Sequence, residues 1–198
     1  ELLSEEIAFL TQCIEYAERI TTVYGDEKLQ KLIEIIDELK AREGNPELKF
    51  IIFTEFRCTQ DAIIKFLHRF GYSASYINGG LSREEKAEQV TSFRETNQVL
   101  VSTDAGGEGI NLQFCYCLIN YDLPWNPSRL EQRIGRVDRI GQKHNALIFN
   151  FHLTDTVEDN VRIILENKLD IIKDQFGDDK FADVLMLLQE EFSFDSIY

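Results

Sequence analysis

The chain has 198 residues, 43% apolar and 28% charged, and a formal net charge of −14. That size and mix suit one packed globular domain with a smaller appendage and exclude a disordered chain. No run approaches the ~18 apolar residues of a membrane span, and the opening "ELLSEEIAFL" lacks the basic region of a secretory leader. A soluble, intracellular protein is expected, and a chain that begins at Glu1 is expected to be a segment of a longer one.

In chain order, two helical stretches come first. These are "LSEEIAFLTQCIEYAERI" and "DEKLQKLIEIIDELKAREG", in which Leu29, Leu32, Ile33, Ile36 and Leu39 keep helical spacing and Gly44 supplies a stop. After Pro46 short apolar runs alternate with amphipathic stretches: "KFIIFTEF", a helix over 59–70, "ASYING", a helix over 82–94, "QVLVST", a short "GEGINLQ" segment, "CYCLINYD", a helix over 127–140, and "ALIFNFHL". Apolar runs separated by helices predict a parallel sheet with right-handed crossovers, hence a three-layer α/β domain. From Asp155 to Tyr198 there are 12 acidic and 4 basic residues in a helical pattern, an extension with a solvated acidic face. The expected organisation is a helical lead-in over 1–25, the α/β domain over 26–155 and the acidic helical extension over 156–198.

Cys13, Cys58, Cys115 and Cys117 form no CxxC pair, and His68, His144 and His152 are scattered, so no metal site is expected. Cys115 and Cys117 alternate along an apolar run and read as small buried hydrophobes. Asp37 and Glu38 follow an apolar pair but lie inside a helical repeat and read as solvated.

In open α/β sheets the chemistry lies beyond the carboxyl ends of the strands. Thr103 closes one strand and "DAGGEGINLQ" follows, with Gly106, Gly107 and Gly109 inside four residues. Such a loop either lets backbone amides approach a phosphate or simply turns the chain. Asn126 is a suitable N-cap and Pro127 a suitable first helical residue. On a helix starting there, Leu130, Ile134 and Val137 fall on one side and Gln132, Arg136 and Arg139 on the other. Between Arg129 and Lys143 five basic residues face two acidic ones, a local charge of +3 in an acidic chain. A guanidinium fork suits phosphate, although surface arginines also pair with nearby carboxylates.

The order of these elements resembles the second RecA-like lobe of superfamily-two helicases and translocases, and within them the Swi/Snf-type ATPases. "FIIFTEF" is similar to motif IV, "INGGLSREEK" to the backbone-contacting motif after it, "VSTDAGGEGINLQ" to motif V, and "LEQRIGRVDRIGQ" to motif VI with the RIGQ ending of the Swi/Snf group. The resemblance covers about 26–153. It implies that Arg136 and Arg139 reach a nucleotide held by another lobe, with Arg139 as arginine finger, and that Gln132, Gly109, Ile110 and Asn111 line the same cleft. It implies nucleic-acid backbone contacts at Asn78, Gly79, Ser82, Ser102 and Thr103. "YDLPWNP" and "GRVDRIGQ" look closer to the bacterial branch that includes the RNA-polymerase-recycling ATPase, which implies a bacterial cytoplasm or nucleoid. Asp104, Glu108 and Asp138 depart from the eukaryotic remodeller pattern.

No G-x-x-x-x-G-K-[ST] occurs, so the segment carries no phosphate-cradling loop of its own. The resemblance therefore implies that ATP and magnesium are held mainly by an upstream lobe of the same polypeptide, that this segment alone is inactive, and that the whole is a DNA-dependent ATPase moving on duplex DNA. Two alternatives stand beside it: a strand-separating DNA or RNA helicase lobe, and a nucleic-acid or protein binding module without turnover. Tyr121 and Trp125 read as packing residues at a strand end, since "YDLPWNP" has no interleaved basic residues for base stacking.

Overall fold

The computed structural model describes residues 2–24, 27–107, 109–139, 141–152 and 163–164, in two compact units that part between Gly44 and Asn45. The first unit holds α1 (Leu2–Tyr24) and α2 (Glu27–Glu43). In α2 the stripe Leu29, Leu32, Ile33, Ile36 and Leu39 is buried, while Asp37 and Glu38 are exposed. Gly44 ends the helix at φ +60°, a left-handed conformation that glycine adopts without strain. The break between units falls after α2.

The second unit is built on five parallel strands, β1 (Phe50–Thr54), β2 (Ala74–Ile77), β3 (Val99–Thr103), β4 (Cys117–Asn120) and β5 (Leu147–Asn150), in the order β2-β3-β1-β4-β5. Every residue of β1, β3 and β4 is buried, because helices and loops cover both faces of the middle of the sheet. Intervening helices are α3 (Arg57–Arg69), α4 (Arg83–Glu95), the single turn α5 (Asp104–Gly107) and α6 (Pro127–Ile134). The step from β1 to β2 runs across the sheet in the opposite sense to every later step, so right-handed crossovers put α3 on one face and α4 on the other. On the α4 face Ile51, Phe53, Ile77, Leu100 and Leu118 join Phe93, Leu112, Cys115 and Val137 in one buried cluster. Ile63 and Leu67 of α3 are fully buried outside that cluster.

Polar side chains fix the ends of the elements. Ser82 and Glu85 form a reciprocal capping box at the start of α4. At its other end the Lys49 ammonium donates to the carbonyls of Phe93 and Asn97, both at 2.8 Å, where a cation meets the negative end of the helix. On the edge strand β2 the backbone N–H of Tyr76 donates to the Gln89 side-chain oxygen at 3.1 Å.

One expected element is shorter than its pattern. The helix predicted over 127–140 stops at Ile134, with Gly135 as its C-cap. The amides of Arg136 and Val137 then bond three residues back, to Arg133 and Ile134, as a tight turn. Glycine weakens a helix there, and Val137 is drawn fully into the core cluster. Cys115 and Cys117 are both buried, but the strand begins only at Cys117. Tyr121 is buried beside Phe151, and Trp125 packs on Leu123 and Leu130, as expected of packing residues. The acidic extension lies outside the described residues apart from 163–164.

Candidate functional site

β1 sends the chain to one side of the sheet and β4 to the other, so their carboxyl ends flank a crevice of the kind that holds ligands in open α/β folds. A cleft of about 370 Å³ opens there, lined by Phe53, Asp104, Asn126, Arg129, Gln132, Arg133 and Arg136 among others. α6 builds its far wall. The Asn126 side chain accepts the Ser128 N–H at 2.9 Å and Pro127 occupies the first turn, so the helix starts where the sequence predicts.

Arg133, which the sequence reading assigned no role, is the centre of the site. Its side chain is 2% exposed, and every guanidinium N–H has an acceptor. Nε and Nη2 bond the two Asp104 carboxylate oxygens at 2.6 and 2.9 Å in a fork. Nη1 bonds the Asn120 side-chain oxygen at 3.1 Å and the Asp122 carbonyl at 2.7 Å, and Nη2 also reaches the Asp122 carboxylate at 3.4 Å. That carboxylate is held in turn by the Thr54 hydroxyl at 2.5 Å and the Glu55 N–H at 2.9 Å. The guanidinium also lies 5.5 Å from the centre of the Phe53 ring. A signal for this was legible: at about 100° per residue Arg133 falls about 40° from Val137, inside the apolar arc of the helix. An arginine turned inward requires buried carboxylate partners.

Arg129 differs. It is half exposed and only grazes Glu55 and Asp104, at 4.0 and 3.9 Å. Desolvation, then the neighbouring Asp122 and Asp104, push the Glu55 carboxyl above its ordinary range, against a smaller pull from Arg129 and Arg133. Burial raises Glu131 as well, helped by Asp138.

Of the residues expected around a nucleotide, Gln132 and Arg136 line the cleft. Arg139 is exposed and folds its Nε back onto the Gly135 carbonyl at 2.8 Å. Gly109, at φ +75°, turns the chain out of α5, Ile110 packs on the core cluster, and Asn111 is exposed and closes a local turn on the Gln113 N–H; none of the three is among the cleft-lining residues. Gly106 and Gly107 are buried. A Cβ on Gly106 would stand 2.4 Å from the Asn78 Cα and 2.7 Å from the Ile77 carbonyl carbon. The glycine thus serves the close packing of α5 on the loop after β2. Among the described residues no three His, Cys, Asp or Glu side chains converge as a metal site would require.

The residues expected on a nucleic-acid backbone are mostly occupied within the fold. Asn78 is 5% exposed; its Nδ2 donates to Gln60 at 2.9 Å and its Oδ1 accepts the Gly80 N–H at 3.0 Å. Gln60 is itself buried and donates to the Ile77 and Val101 carbonyls. Ser82 caps α4, Ser102 is buried and donates to the Thr103 carbonyl, and Thr103 is buried too. What the loop 78–82 presents is glycine backbone, with the exposed Arg57 guanidinium lying across Gly80, 3.1 to 3.2 Å from where a Cβ would be. Arg57 escaped the sequence reading because the contact joins the start of α3 to the loop after β2. Gln142, at the end of "RIGQ", is a brace: its amide donates to the Gln113 and Val137 carbonyls, both at 2.9 Å.

Comparison with known proteins places these features in context. The family described as "Helicase conserved C-terminal domain" matches residues 27–141. The ATP-dependent helicase YqhH of Bacillus subtilis is 42% identical over 172 residues, 85% of this chain and 30% of that protein. The putative ATP-dependent helicase/translocase YwqA of the same organism is 31% identical over 144 residues, 71% of this chain and 15% of that protein. Among solved structures, the C-terminal part of the Fun30 ATPase domain superposes with a TM-score of 0.63 at 22% identity, over 90% of this chain and 60% of that one, a likeness of fold. The chain thus spans less than a third of the curated relatives named here.

Proposed function

The chain belongs to the helicase conserved C-terminal domain family, in its Swi/Snf-type branch, and on that premise we propose that it is the second motor lobe of an ATP-dependent translocase on duplex DNA. The observation that carries this reading is the cleft at the carboxyl edge of the sheet, walled by Gln132 and Arg136 with Arg129 at its mouth. It offers guanidinium and amide donors to a polyanion but has no phosphate-cradling loop. Such a wall suits the flank of a nucleotide whose phosphates and magnesium ion are held by an upstream lobe of the same polypeptide.

In this mechanism closure of the two lobes brings Arg136 against the phosphates, and Arg139 exchanges the Gly135 carbonyl for the transferring phosphoryl group. The exchange is inexpensive, because Arg139 is exposed and the bond it gives up is a single one. An arginine finger contributes about 10³ to 10⁵ in rate, equivalent to roughly 4 to 7 kcal/mol. The segment by itself lacks most of the nucleotide site and is expected not to turn over ATP. On the other side of the α5 contact, the loop 78–82 and Arg57 grip phosphates without reading bases, as stepping along any sequence requires. Asn78 and Ser82 act there by shaping the loop, and Ser102 and Thr103 by anchoring the strand beneath it.

The test is phosphate release from ATP by the full-length protein with duplex DNA, single-stranded DNA, RNA or no addition, in the wild type and in Arg139→Ala. Stimulation by duplex DNA that the substitution abolishes supports the reading. Stimulation by single strands or RNA turns it toward a strand-separating helicase. Turnover indifferent to Arg139 refutes the assignment of the finger, and none under any condition refutes the motor reading and leaves a binding module.

A further inference from the structure

We propose that Arg133 is a positioning residue, whose saturated guanidinium locks α6 and the turn after it onto the ends of β3 and β4 and so sets where Arg136 stands in the cleft. The inference rests on the reading of that cleft as the phosphate-facing wall, and it divides the arginines of one short segment by task.

Arg133 is itself unavailable to a phosphate. Its N–H groups are all taken, three of them by carboxylates, and an incoming anion would have to displace Asp104 from a two-pronged contact at 2.6 and 2.9 Å. With Asp104 and Asp122 beside one guanidinium, the cluster carries no excess positive charge to attract an anion. Attraction is left to Arg129 and Arg136.

What the cluster supplies is orientation. Asp104 is the first residue after β3, Asn120 closes β4, and Asp122 is tied back to Thr54 and Glu55 at the end of β1. One side chain therefore binds α6 to the ends of all three central strands. The helix stops at Ile134, directly after Arg133, and Arg136 lies in a turn whose amides hang on Arg133 and Ile134. The direction of Arg136 is thus inherited from the last turn of α6, at the residue the carboxylates hold. A fork of fixed geometry can do this where a flexible ammonium cannot.

The test uses the full-length protein with Asp104→Asn, which keeps the shape of the side chain, Arg133→Lys, and each combined with Arg136→Ala. Single-turnover ATP hydrolysis, KM for ATP and amide hydrogen exchange across residues 129–139 are measured on variants that melt cooperatively. A displacement of about 1 Å at a catalytic group lowers the rate about 10²-fold. Asp104→Asn is therefore expected to lower the rate constant about 10- to 100-fold with KM nearly unchanged, and to raise exchange across 129–139. Arg133→Lys, which keeps the charge but not the fork, is expected to show the same two changes. In the Arg136→Ala background neither substitution lowers the rate further, because the residue being positioned is gone. Losses that multiply in the double variants would mark general damage and overturn the proposal, as would unchanged exchange in Asp104→Asn. If Arg136→Ala leaves turnover intact, the reading of the cleft fails, whereas the exchange data still decide whether the carboxylates hold the turn.

Discussion

Gly106→Ala separates two opposed expectations. Gly106 lies within the helical turn α5, where alanine is favoured over glycine by about 1 kcal/mol. From local propensity alone the substitution stabilises. The fold predicts the reverse, since the new Cβ would meet the backbone of Ile77 and Asn78 at 2.4 to 2.7 Å, against an ordinary contact of at least 3.4 Å. A shift of 3.4 − 2.4 = 1.0 Å is needed. The obstacle is main chain at the end of β2, pinned by Gln60 to the Ile77 carbonyl and to Asn78. Overpacking that cannot relax costs about 1–3 kcal/mol, and the upper end applies here. For a domain of this size that is a fall in Tm of about 6–12 °C. Urea and thermal unfolding of the folded unit measure it, with Gly109→Ala as the comparison, because Gly109 has open space but φ +75°. A Gly106→Ala protein as stable as the wild type, or more so, would refute the packing argument.

Further predictions concern charge. Arg133→Met leaves Asp122 without its counter-ion and Asp104 with only the distant Arg129, and should cost about 3–5 kcal/mol by urea midpoint at constant m, while Arg139→Ala stays within about 0.5 kcal/mol; equal effects would show that the buried network is not special. Glu55 has a raised pKa, so its folded form binds the proton more tightly and stability is lost as pH rises from the usual value of ~4.3 through the raised one. Glu55→Gln should therefore raise Tm at pH 7 and have little effect near pH 4, and the opposite order would contradict the assigned cause. Arg57→Ala should weaken nucleic-acid binding by the full-length protein and reduce the slope of log K against log salt by about 1, with the slope retained in Arg57→Lys. An unchanged slope in Arg57→Ala would remove Arg57 from the interface.

The sheet was legible because parallel strands buried on both faces must be written as unbroken apolar runs, and "FIIFT" and "VLVST" can be little else. The Ser82 cap and the α2 stripe were legible for the same reason, since each is a local pattern with one physical solution. The site was harder. Asn78 and Ser102 have the chemistry of phosphate ligands, but that chemistry also closes turns and satisfies buried carbonyls, and only the position of Gln60, eighteen residues away, decides between the two for Asn78. The continuous helix drawn over 127–140 failed at Gly135, where glycine weakens the helix and the chain tightens into a turn that a helical wheel, which assumes one constant period, does not register. Arg133 sat inside the apolar arc, yet its partners Asp104, Asn120 and Asp122 stand at the ends of β3 and β4, and only the fold assembles them.

The Tyr76 contact with Gln89 bears on how such a lobe behaves when parted from a partner. An outermost strand invites a second copy to add itself through open main-chain donors, and repeated addition leads to aggregation. β2 is four residues long, and its middle donor is already spent on a side chain of the neighbouring helix. A newcomer would first have to evict that amide to gain a short ladder, so this margin of the sheet is a poor template for growth.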